Sequence, residues 1–260
     1  MSIESLEDSR VADFRFIADQ QYLKTRGIFV AEGRLVLRRL LNSYRFETRA
    51  ILVTPAAADA VGDVLGRTTA PVYLAPPALM NDLAGFNIHR GCLAIGTRPG
   101  DAALEADALE RATRIIVLEG VNNPDNVGGL FRSALAFGVD LVVLGPNCGD
   151  PLYRKAIRTS MAATLEVPFA SAGDWPGAIT HLREHGFEVL ALTPASAAAP
   201  LAGFRATSHR IALLLGAEGD GLSAAALERS SARLRIPMNG NLDSLNVNTA
   251  GSIAMYELFS

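Results

Sequence analysis

The hydrophobic residues of this chain form two kinds of pattern, short continuous runs and helical spacings, which together predict an α/β fold. Continuous apolar runs between polar or glycine-rich segments are typical of strands that are buried on both faces. Such runs predict strands at residues 50–53, 72–74, 91–96, 115–118, 141–144, 165–169, 187–192, 211–215 and 234–236. Helical spacing predicts helices near residues 35–41, 127–135, 175–185 and 247–258. We expect Asp174 to be the N-cap of the helix near 175–185.

A change in these patterns divides the chain into two predicted domains. Residues 1–98 contain short strands and an alanine-rich helical segment, which we interpret as a small α/β domain. Pro99, Gly100 and Asp101 interrupt the pattern, and residues 99–112 are predicted to be a linker that includes a short helix. Strands and helices then alternate through residues 113–260, the second predicted domain. A chain of 260 residues is long enough for each domain to bury its own core.

Composition argues against several classes of protein. Hydrophobic residues make up 49% of the chain and charged residues 20%, as in ordinary globular proteins. The apolar runs are too short to span a membrane, and the polar first ten residues do not resemble a signal peptide. We therefore expect a cytoplasmic protein with no membrane partner. Cys92 and Cys148 lack metal-ligand spacing, so they are predicted to be reduced thiols, and no metal is expected.

The charge distribution is uneven along the chain. The formal net charge is −3, so an RNA-binding surface would have to be local. Residues 10–49 contain nine Lys or Arg and only four acidic residues. Arg34 and Arg38 lie partly outside the apolar stripe of the predicted helix at 35–41. Such charges more often form a solvated helix face, so an RNA-binding and a purely structural interpretation both stay open.

Three polar segments follow predicted strands in the second domain, where free backbone groups can contact a ligand. The first, residues 122–134, contains Asn-Pro-Asp-Asn-Val-Gly and then Arg132, which lies off the apolar face of a predicted helix. The second, residues 216–223, is Gly-Ala-Glu-Gly-Asp-Gly-Leu-Ser. The third, residues 236–248, is Ile-Pro-Met-Asn-Gly-Asn-Leu-Asp-Ser-Leu-Asn-Val-Asn. The glycine spacing of the second differs from the dinucleotide fingerprint, which makes an oxidoreductase a weak alternative.

In this order, the three segments resemble the three motifs of the SpoU (TrmH-like) family of RNA ribose methyltransferases. Residues 153–162 also resemble the family's basic Arg-x-Ser segment, with Ala162 where relatives often have Gly. In the first domain, Arg26, residues 29–33 and His89-Arg90-Gly91 are similar to the family's N-terminal substrate-binding domain. The resemblance implies a C-terminal α/β domain with a trefoil knot, preceded by a small α/β RNA-binding domain. It also implies a homodimer with both active sites at the subunit interface.

The resemblance further implies the chemistry and the residues that perform it. Members of the family transfer a methyl group from S-adenosylmethionine to a ribose 2′-hydroxyl, without a metal. The implied cofactor contacts are Thr193, Gly216, Glu218, Ile236, Met238 and Leu245. The implied catalytic residues are Asn126, Arg132, Glu218, Ser244 and Asn246. The predicted RNA contacts are Arg26, Arg34, Arg38, Arg132, Arg154, Lys155 and Arg158.

The chemistry of the side chains limits their roles. A guanidinium group stays protonated, so Arg132 is expected to clamp phosphate and stabilise the 2′-oxygen rather than act as a base. Glu218 and Ser244 would orient the substrate and the opposing arginine. Asn126 and Asn246 would fix loop geometry or be buried structural amides. We expect ribosomal RNA as substrate, with tRNA as second choice. A non-catalytic RNA-binding protein and a base-directed methyltransferase are the competing hypotheses.

Overall fold

The structure is a computed structural model that describes residues 1–85, 87–88, 90–100, 103–239 and 243–260. His89, Asp101 and Gly240, which the sequence analysis used, lie outside the described residues. The strands are β1 (Ile28–Glu32), β2 (Thr48–Val53), β3 (Val72–Leu74), β4 (Cys92–Thr97), β5 (Arg114–Leu118), β6 (Leu141–Leu144), β7 (Phe169–Ser171), β8 (Glu188–Leu192), β9 (Ala199–Pro200), β10 (Ile211–Leu215) and β11 (Ala232–Arg235). The helices are α1 (Gln20–Thr25), α2 (Arg34–Leu41), α3 (Pro55–Ala60), α4 (Gly62–Leu65), α5 (Pro77–Ala84), α6 (Ala106–Arg111), α7 (Pro124–Ala136), α8 (Arg154–Thr159), α9 (Gly177–Glu184), α10 (Ala224–Arg229) and α11 (Val247–Phe259). Two 3₁₀ segments lie at Ser9–Phe16 and Ala163–Leu165.

The first of two compact units comprises Met1–Gly100 and Leu152–Glu166. Its four-stranded sheet has the order β1-β4-β2-β3. The β4 strand is antiparallel to both of its neighbours, whereas β2 and β3 are parallel. Alternate side chains such as Val30, Leu52 and Leu93 pack into a core with Phe14 of the N-terminal 3₁₀ segment and with Ile17, which directly follows that segment. This unit is therefore a small α/β body with its own core.

The second unit comprises the described parts of Asp101–Pro151 and Val167–Ser260. Its seven-stranded sheet has the order β7-β6-β5-β10-β8-β11-β9, and every neighbouring pair is parallel. Every residue of β10 is buried, as expected for a central parallel strand that is covered on both faces. The predicted division into domains at residues 98 and 113 stays a prediction.

The helices of the second unit cover both faces of its sheet. On one face, Val117 and Leu214 share a core with residues of α6, α9 and α10. On the other face, Leu215 lies against Gly251 of α11, so that a Cβ at Gly251 would be 2.9 Å from a Leu215 methyl carbon. The helix α11 also packs on α7, where the hydroxyl oxygens of Ser133 and Ser252 are 2.7 Å apart. This pair of helices holds the first and third motif segments side by side.

Two details of the predicted secondary structure are wrong. The strand expected at residues 165–169 is instead a 3₁₀ turn followed, after Pro168, by the short strand β7. Ala162 has a left-handed φ of 68° that turns the chain just before the 3₁₀ segment. The N-cap of α9 is Pro176 and not Asp174. A residue before proline disfavours the α region, so Trp175 does not begin the helix.

Two further features of the described residues concern membranes and metals. Within the described ranges, no helix is long and apolar enough to cross a bilayer. Among the same residues, no group of three or more His, Cys, Asp or Glu side chains is arranged to hold a metal ion.

Candidate functional site

A cavity of about 360 Å³ lies at the carboxyl ends of the neighbouring strands β10, β8 and β11. It is lined by residues from the segments that follow these strands and from the first turn of α11. Ligands of open α/β sheets bind beyond the carboxyl ends of the strands. The volume falls within the roughly 300–1,000 Å³ that small-molecule sites occupy. This cavity is therefore the candidate site.

One wall of the cavity is the loop at residues 216–222, which follows β10 and folds back on itself. A Cβ at Gly216 would lie 2.4 Å from the carbonyl carbon of Gly221 and 2.5 Å from the nitrogen of Leu222. The backbone of Ala217 pairs with that of Gly221, whose φ of 70° favours glycine. Because the obstructing atoms are backbone, only glycine fits at position 216. The two ends of the loop are thus held in direct contact.

The opposite wall is organised by Asn246, the N-cap of α11. Its Oδ1 accepts hydrogen bonds from the backbone nitrogens of Asn248 and Thr249, at 3.0 and 3.3 Å. Its Nδ2 donates to Oδ1 of Asn126 at 2.9 Å and to Oε1 of Glu218 at 2.5 Å. Asn126, Glu218 and Asn246 belong to three different motif segments. One amide side chain therefore joins all three motifs.

The charge of the cavity wall is acidic. Among the described lining residues, Glu218 is the only charged side chain, and the remainder are apolar or carry hydroxyl, amide or thioether groups. Leu192, Leu215, Ile236 and Val247 provide much of the apolar surface. The cavity can therefore accept a partly apolar ligand, and a positive group on that ligand would be attracted to Glu218 rather than repelled.

The residues predicted for this chemistry fall into three groups in the structure. All six predicted cofactor contacts line the cavity: Thr193, Gly216, Glu218, Ile236, Met238 and Leu245. Ser244 and Asn246 line it as well, whereas Asn126 is buried and reaches the site through Asn246. Arg132 is exposed on α7 and is not part of the lining. Within the described part of the chain, Arg132 forms no hydrogen bond or ion pair, which leaves its guanidinium available.

Several lining residues were not predicted. Leu192, Pro194, Leu215, Ala217, Gly219, Gly221, Val247 and Ala250 also border the cavity. Leu192 and Leu215 end strands, and Val247 and Ala250 lie in the first turn of α11, where an apolar residue ordinarily indicates core. Their positions next to predicted contacts could have indicated them, as Leu192 and Pro194 lie on either side of Thr193.

The predicted RNA contacts differ in how free their charges are. Arg38 forms two hydrogen bonds with the Asp63 carboxylate, at 2.5 and 2.8 Å, and this pair lowers the pKa of Asp63. Arg154 pairs with the buried Glu32 at 2.6 Å, and Arg26 lies 3.3 Å from Asp13. Lys155 is half-buried. Arg158 is exposed and lies 4.0 Å from Glu32.

Arg34 contrasts with Arg38, although both belong to α2. Arg34 is exposed, and among the residues that the structure describes it has no hydrogen-bond or ion-pair partner. An unpaired exposed guanidinium can contact phosphate without first breaking an ion pair. Of the predicted contacts on α2, Arg34 is therefore the stronger candidate.

Comparison with known proteins decides the family. The model of the SpoU rRNA methylase family matches residues 113–256 of this chain, which is more than half of its length. The chain belongs to this family. The resemblance inferred from the three motifs is thereby confirmed, and so is membership in a family of RNA methyltransferases.

Two relatives place the chain within the SpoU family. An uncharacterized tRNA/rRNA methyltransferase from Mycobacterium tuberculosis is 44% identical over 257 residues, which cover 96% of this chain and 88% of that protein. The 23S rRNA (guanosine(2553)-2′-O)-methyltransferase of Bacillus subtilis is 32% identical over 152 residues, or 58% of this chain and 60% of that protein. The first relative matches nearly the whole chain, whereas the second matches little more than half of it.

A solved rRNA methyltransferase structure matches the fold. The AdoMet-bound rRNA methyltransferase from Sinorhizobium meliloti superposes with a TM-score of 0.83, over 99% of this chain and 97% of that one, at 22% sequence identity. At this identity the similarity concerns the fold. The predicted α/β fold class is confirmed, and the path of the chain through a trefoil knot stays a prediction.

Proposed function

We propose that this protein transfers a methyl group from S-adenosylmethionine to a ribose 2′-hydroxyl of RNA, with ribosomal RNA as first choice and tRNA as second. The observation that carries the proposal is the joining of the three motif segments at one cavity by the side chain of Asn246. A relative that is 32% identical is a 23S rRNA 2′-O-methyltransferase, which supports ribose in rRNA as the target. The cytoplasm is the proposed location.

The cavity suits S-adenosylmethionine in size and chemistry. Its apolar walls match the adenine ring and the methionine chain, and Glu218 is complementary to a positive group. Thr193, Gly216, Ile236, Met238 and Leu245 would hold the cofactor, largely through backbone atoms at the strand ends. When bound, the cofactor supplies an activated methyl group, so that the protein has only to position and polarise the reactants.

The acceptor needs assistance because a ribose hydroxyl is protonated at neutral pH. In the proposed reaction, the 2′-oxygen would accept the methyl group that the bound cofactor supplies, and the hydroxyl proton would pass to solvent water as the new bond forms. Arg132 would bind the adjacent phosphate and stabilise charge on the 2′-oxygen. Glu218 and Ser244 would orient the hydroxyl. Asn126 and Asn246 would act indirectly, since their amides hold Glu218 in place.

A homodimer is part of the proposal because Arg132 does not line the cavity of its own chain. The helix α11, which packs beside α7, exposes Ile253 and Tyr256, with 41% and 62% of their surfaces accessible. These two side chains are three residues apart on one helix, so they would suit a contact surface. A partner seated there would cover α11 and bring a second Arg132 into the assembly. The first unit, with Arg34 exposed, would contribute to RNA binding.

The decisive experiment compares wild type, Arg132→Ala and Arg205→Ala in transfer of tritiated methyl groups to total cellular RNA. Arg205 is a matched control, since it is an exposed arginine in the same unit that does not line the cavity. We expect Arg132→Ala to lower transfer by about 100-fold or more, as loss of a charge-stabilising donor does. Cofactor affinity, measured by calorimetry, should stay within about twofold of wild type because only transition-state contacts are lost.

The labelled products identify the substrate, and negative results would decide between the competing hypotheses. Size fractionation of the labelled RNA names the substrate class, and mass spectrometry of digested RNA separates 2′-O-methyl ribose from methylated bases. Methylated bases would support the base-directed alternative instead. Full transfer by Arg132→Ala would remove Arg132 from the mechanism. A wild type that binds RNA but neither binds S-adenosylmethionine nor transfers label would overturn the proposal in favour of a non-catalytic RNA-binding protein.

A further inference from the structure

Glu119 is a buried acid that lies outside the three motifs. It directly follows β5, and its backbone nitrogen donates to the carbonyl of Leu215, the last residue of β10, at 2.9 Å. Only 8% of its surface is accessible. Its Oε1 accepts a hydrogen bond from Nε1 of Trp175 at 2.6 Å, and its Oε2 accepts one from the backbone nitrogen of Ser223 at 2.9 Å. The carboxylate thus bridges the ends of two distant segments.

The bond to Ser223 fixes one end of the loop that walls the cavity. Ser223 is the N-cap of α10 and directly follows the loop at residues 216–222. That loop closes tightly, because Gly216 touches the backbone of Gly221 and Leu222. A displacement of Ser223 would therefore be passed to Gly216 through backbone atoms. Gly120 adds a second contact, since a Cβ there would be 3.1 Å from the Cβ of Ala217.

The partners of Glu119 are unusual for a buried carboxylate. Among the described residues, no Lys or Arg forms an ion pair with it, and its two hydrogen-bond donors are neutral N–H groups. Burial of a carboxylate without a cation is unfavourable unless hydrogen bonds compensate. A glutamine could not replace it, because its NH₂ group would face one of the two donors. The position therefore requires an acceptor at both oxygens.

From this geometry we infer that Glu119 is a positioning residue of the cofactor site, which holds the loop at residues 216–222 in its ligand-binding shape through Ser223. The inference rests on the proposed function, since it takes S-adenosylmethionine as the ligand. Glu119 acts through the loop and does not line the cavity itself. Trp175, the only tryptophan in the chain, is bonded to the same carboxylate and reports on its state.

The test uses Glu119→Gln with Glu188→Gln as a matched control. Glu188 is also a carboxylate that holds a loop, because its Oε2 accepts from the backbone nitrogens of Thr207 and Ser208 at 2.6 and 3.0 Å. It begins β8, however, so it lies at the opposite end of the parallel sheet from the cavity. Both substitutions remove the negative charge of a carboxylate that holds a loop. At position 188 the three bonds all go to Oε2, so the amide oxygen of glutamine can keep them, whereas at position 119 glutamine loses one of two acceptors beside the cavity wall.

We expect Glu119→Gln to weaken S-adenosylmethionine binding by about tenfold or more, the loss typical of a removed hydrogen bond to a charged group. Glu188→Gln should change the dissociation constant by less than about twofold. Calorimetry measures the affinity, and Trp175 emission during the titration gives a second readout. In steady state, Glu119→Gln should raise KM for the cofactor more than it lowers kcat.

Three outcomes would overturn the inference and leave the proposed function standing. The first is a folded Glu119→Gln variant that binds the cofactor as wild type does, and the second is an equal loss of affinity in both variants. If Glu119→Gln does not fold, Glu119→Asp takes its place, because the shorter aspartate side chain cannot reach both donors. The third outcome is a Glu119→Asp variant that binds the cofactor with wild-type affinity. A wild-type protein that fails to bind S-adenosylmethionine would overturn the proposed function, and this inference with it.

Discussion

Asn246 uses every hydrogen-bonding group of its side chain, and this determines what the residue can do. The amide oxygen accepts from two backbone nitrogens of α11, and the two amide hydrogens reach Asn126 and Glu218. The orientation of the amide is therefore fixed by its neighbours, because the reversed orientation would place donors against the backbone donors. Asn246 has no donor left for a ligand. It can influence the proposed chemistry only through the position of Glu218.

A single methyl group at Gly216 should close the cavity. In Gly216→Ala, the new Cβ would overlap backbone atoms of Gly221 and Leu222, which cannot rotate away as a side chain could. We expect loss of cofactor binding by more than about 100-fold, together with a loss of stability of about 1–3 kcal/mol from overpacking. Calorimetry and urea denaturation measure the two effects.

The control for this substitution is Gly62→Ala, because a Cβ at Gly62 meets no heavy atom within 4 Å. This variant should bind the cofactor normally and unfold at the same urea concentration as wild type or a higher one. If Gly216→Ala kept wild-type affinity, the closed loop would not be required for binding.

The sequence predicted several cavity-lining residues that belong to motif segments. Gly216, Glu218 and Asn246 lie in motif segments, and each of them borders the cavity. Glu119 had no such signal, because it is one acid after an apolar run, and its partners Trp175 and Ser223 are 56 and 104 residues away in sequence. Contacts of that separation depend on the order of strands in the sheet, which local patterns do not determine.

At the scale of elements, the contact between α7 and α11 brings the first and third motifs together. Gly129 allows this approach, since a Cβ there would lie 2.4 to 2.7 Å from the side-chain amide atoms of Asn248. Apolar spacing predicted both helices. Their close contact was not predictable, because a glycine inside a helix is ordinarily a sign of weak helix propensity.

Gly129→Ala tests which of two effects dominates. Helix propensity alone predicts stabilisation by about 1 kcal/mol, whereas the clash with Asn248 predicts destabilisation by about 1–3 kcal/mol. We expect the clash to dominate, because Asn248 lies in the first turn of α11 and its side chain is half-buried. Urea denaturation measures the free energy of unfolding.

A double-mutant cycle with Asn248→Ala separates the two effects. Truncation of Asn248 removes the obstructing atoms, so Gly129→Ala should be neutral or stabilising in that background. A destabilisation of the same size in both backgrounds would show that contact with Asn248 is not the cause.

The two elements that were predicted wrongly have different physical causes. The apolar pattern at residues 165–169 is compatible with a strand and with a buried turn. The structure has a 3₁₀ turn, which follows the left-handed backbone of Ala162. Ala162 takes a left-handed conformation, which glycine adopts more readily, so an alanine at this position gave no local sign of the turn. The start of α9 was misplaced because Pro176, not the capping ability of Asp174, limits the helix.

At the scale of the whole molecule, strand order creates the cavity. The β10 strand lies between β5 and β8, although β5 and β10 are separated in sequence by β6, β7, β8 and β9. Apolar runs predicted most of these strands, but their order in the sheet depends on long-range packing and not on local pattern. Arg132, on α7, does not line the cavity of its own chain, so under the proposed function a complete site would need the homodimer.

A heterodimer with one different defect in each chain tests this arrangement. Arg132→Ala and Glu218→Ala chains carrying different tags are coexpressed, and the mixed dimer is purified on both tags. If each site combines Arg132 of one protomer with Glu218 of the other, one site contains both defects and the other is intact. We then expect about half of the wild-type transfer rate per dimer. If each site is built within one chain, both sites are defective and the mixed dimer is inactive.

The reciprocal heterodimer makes the result independent of how well mixed dimers fold. It pairs a wild-type chain with a chain that carries both substitutions. A composite arrangement then leaves each of the two sites with one defect, so transfer should be lost, whereas sites within single chains would leave one site intact and about half the activity. The two heterodimers contain the same substitutions in different arrangements, and only the position of Arg132 relative to Glu218 distinguishes them. Activity in the reciprocal dimer alone would contradict a shared site, and failure to recover any mixed dimer would contradict the homodimer itself.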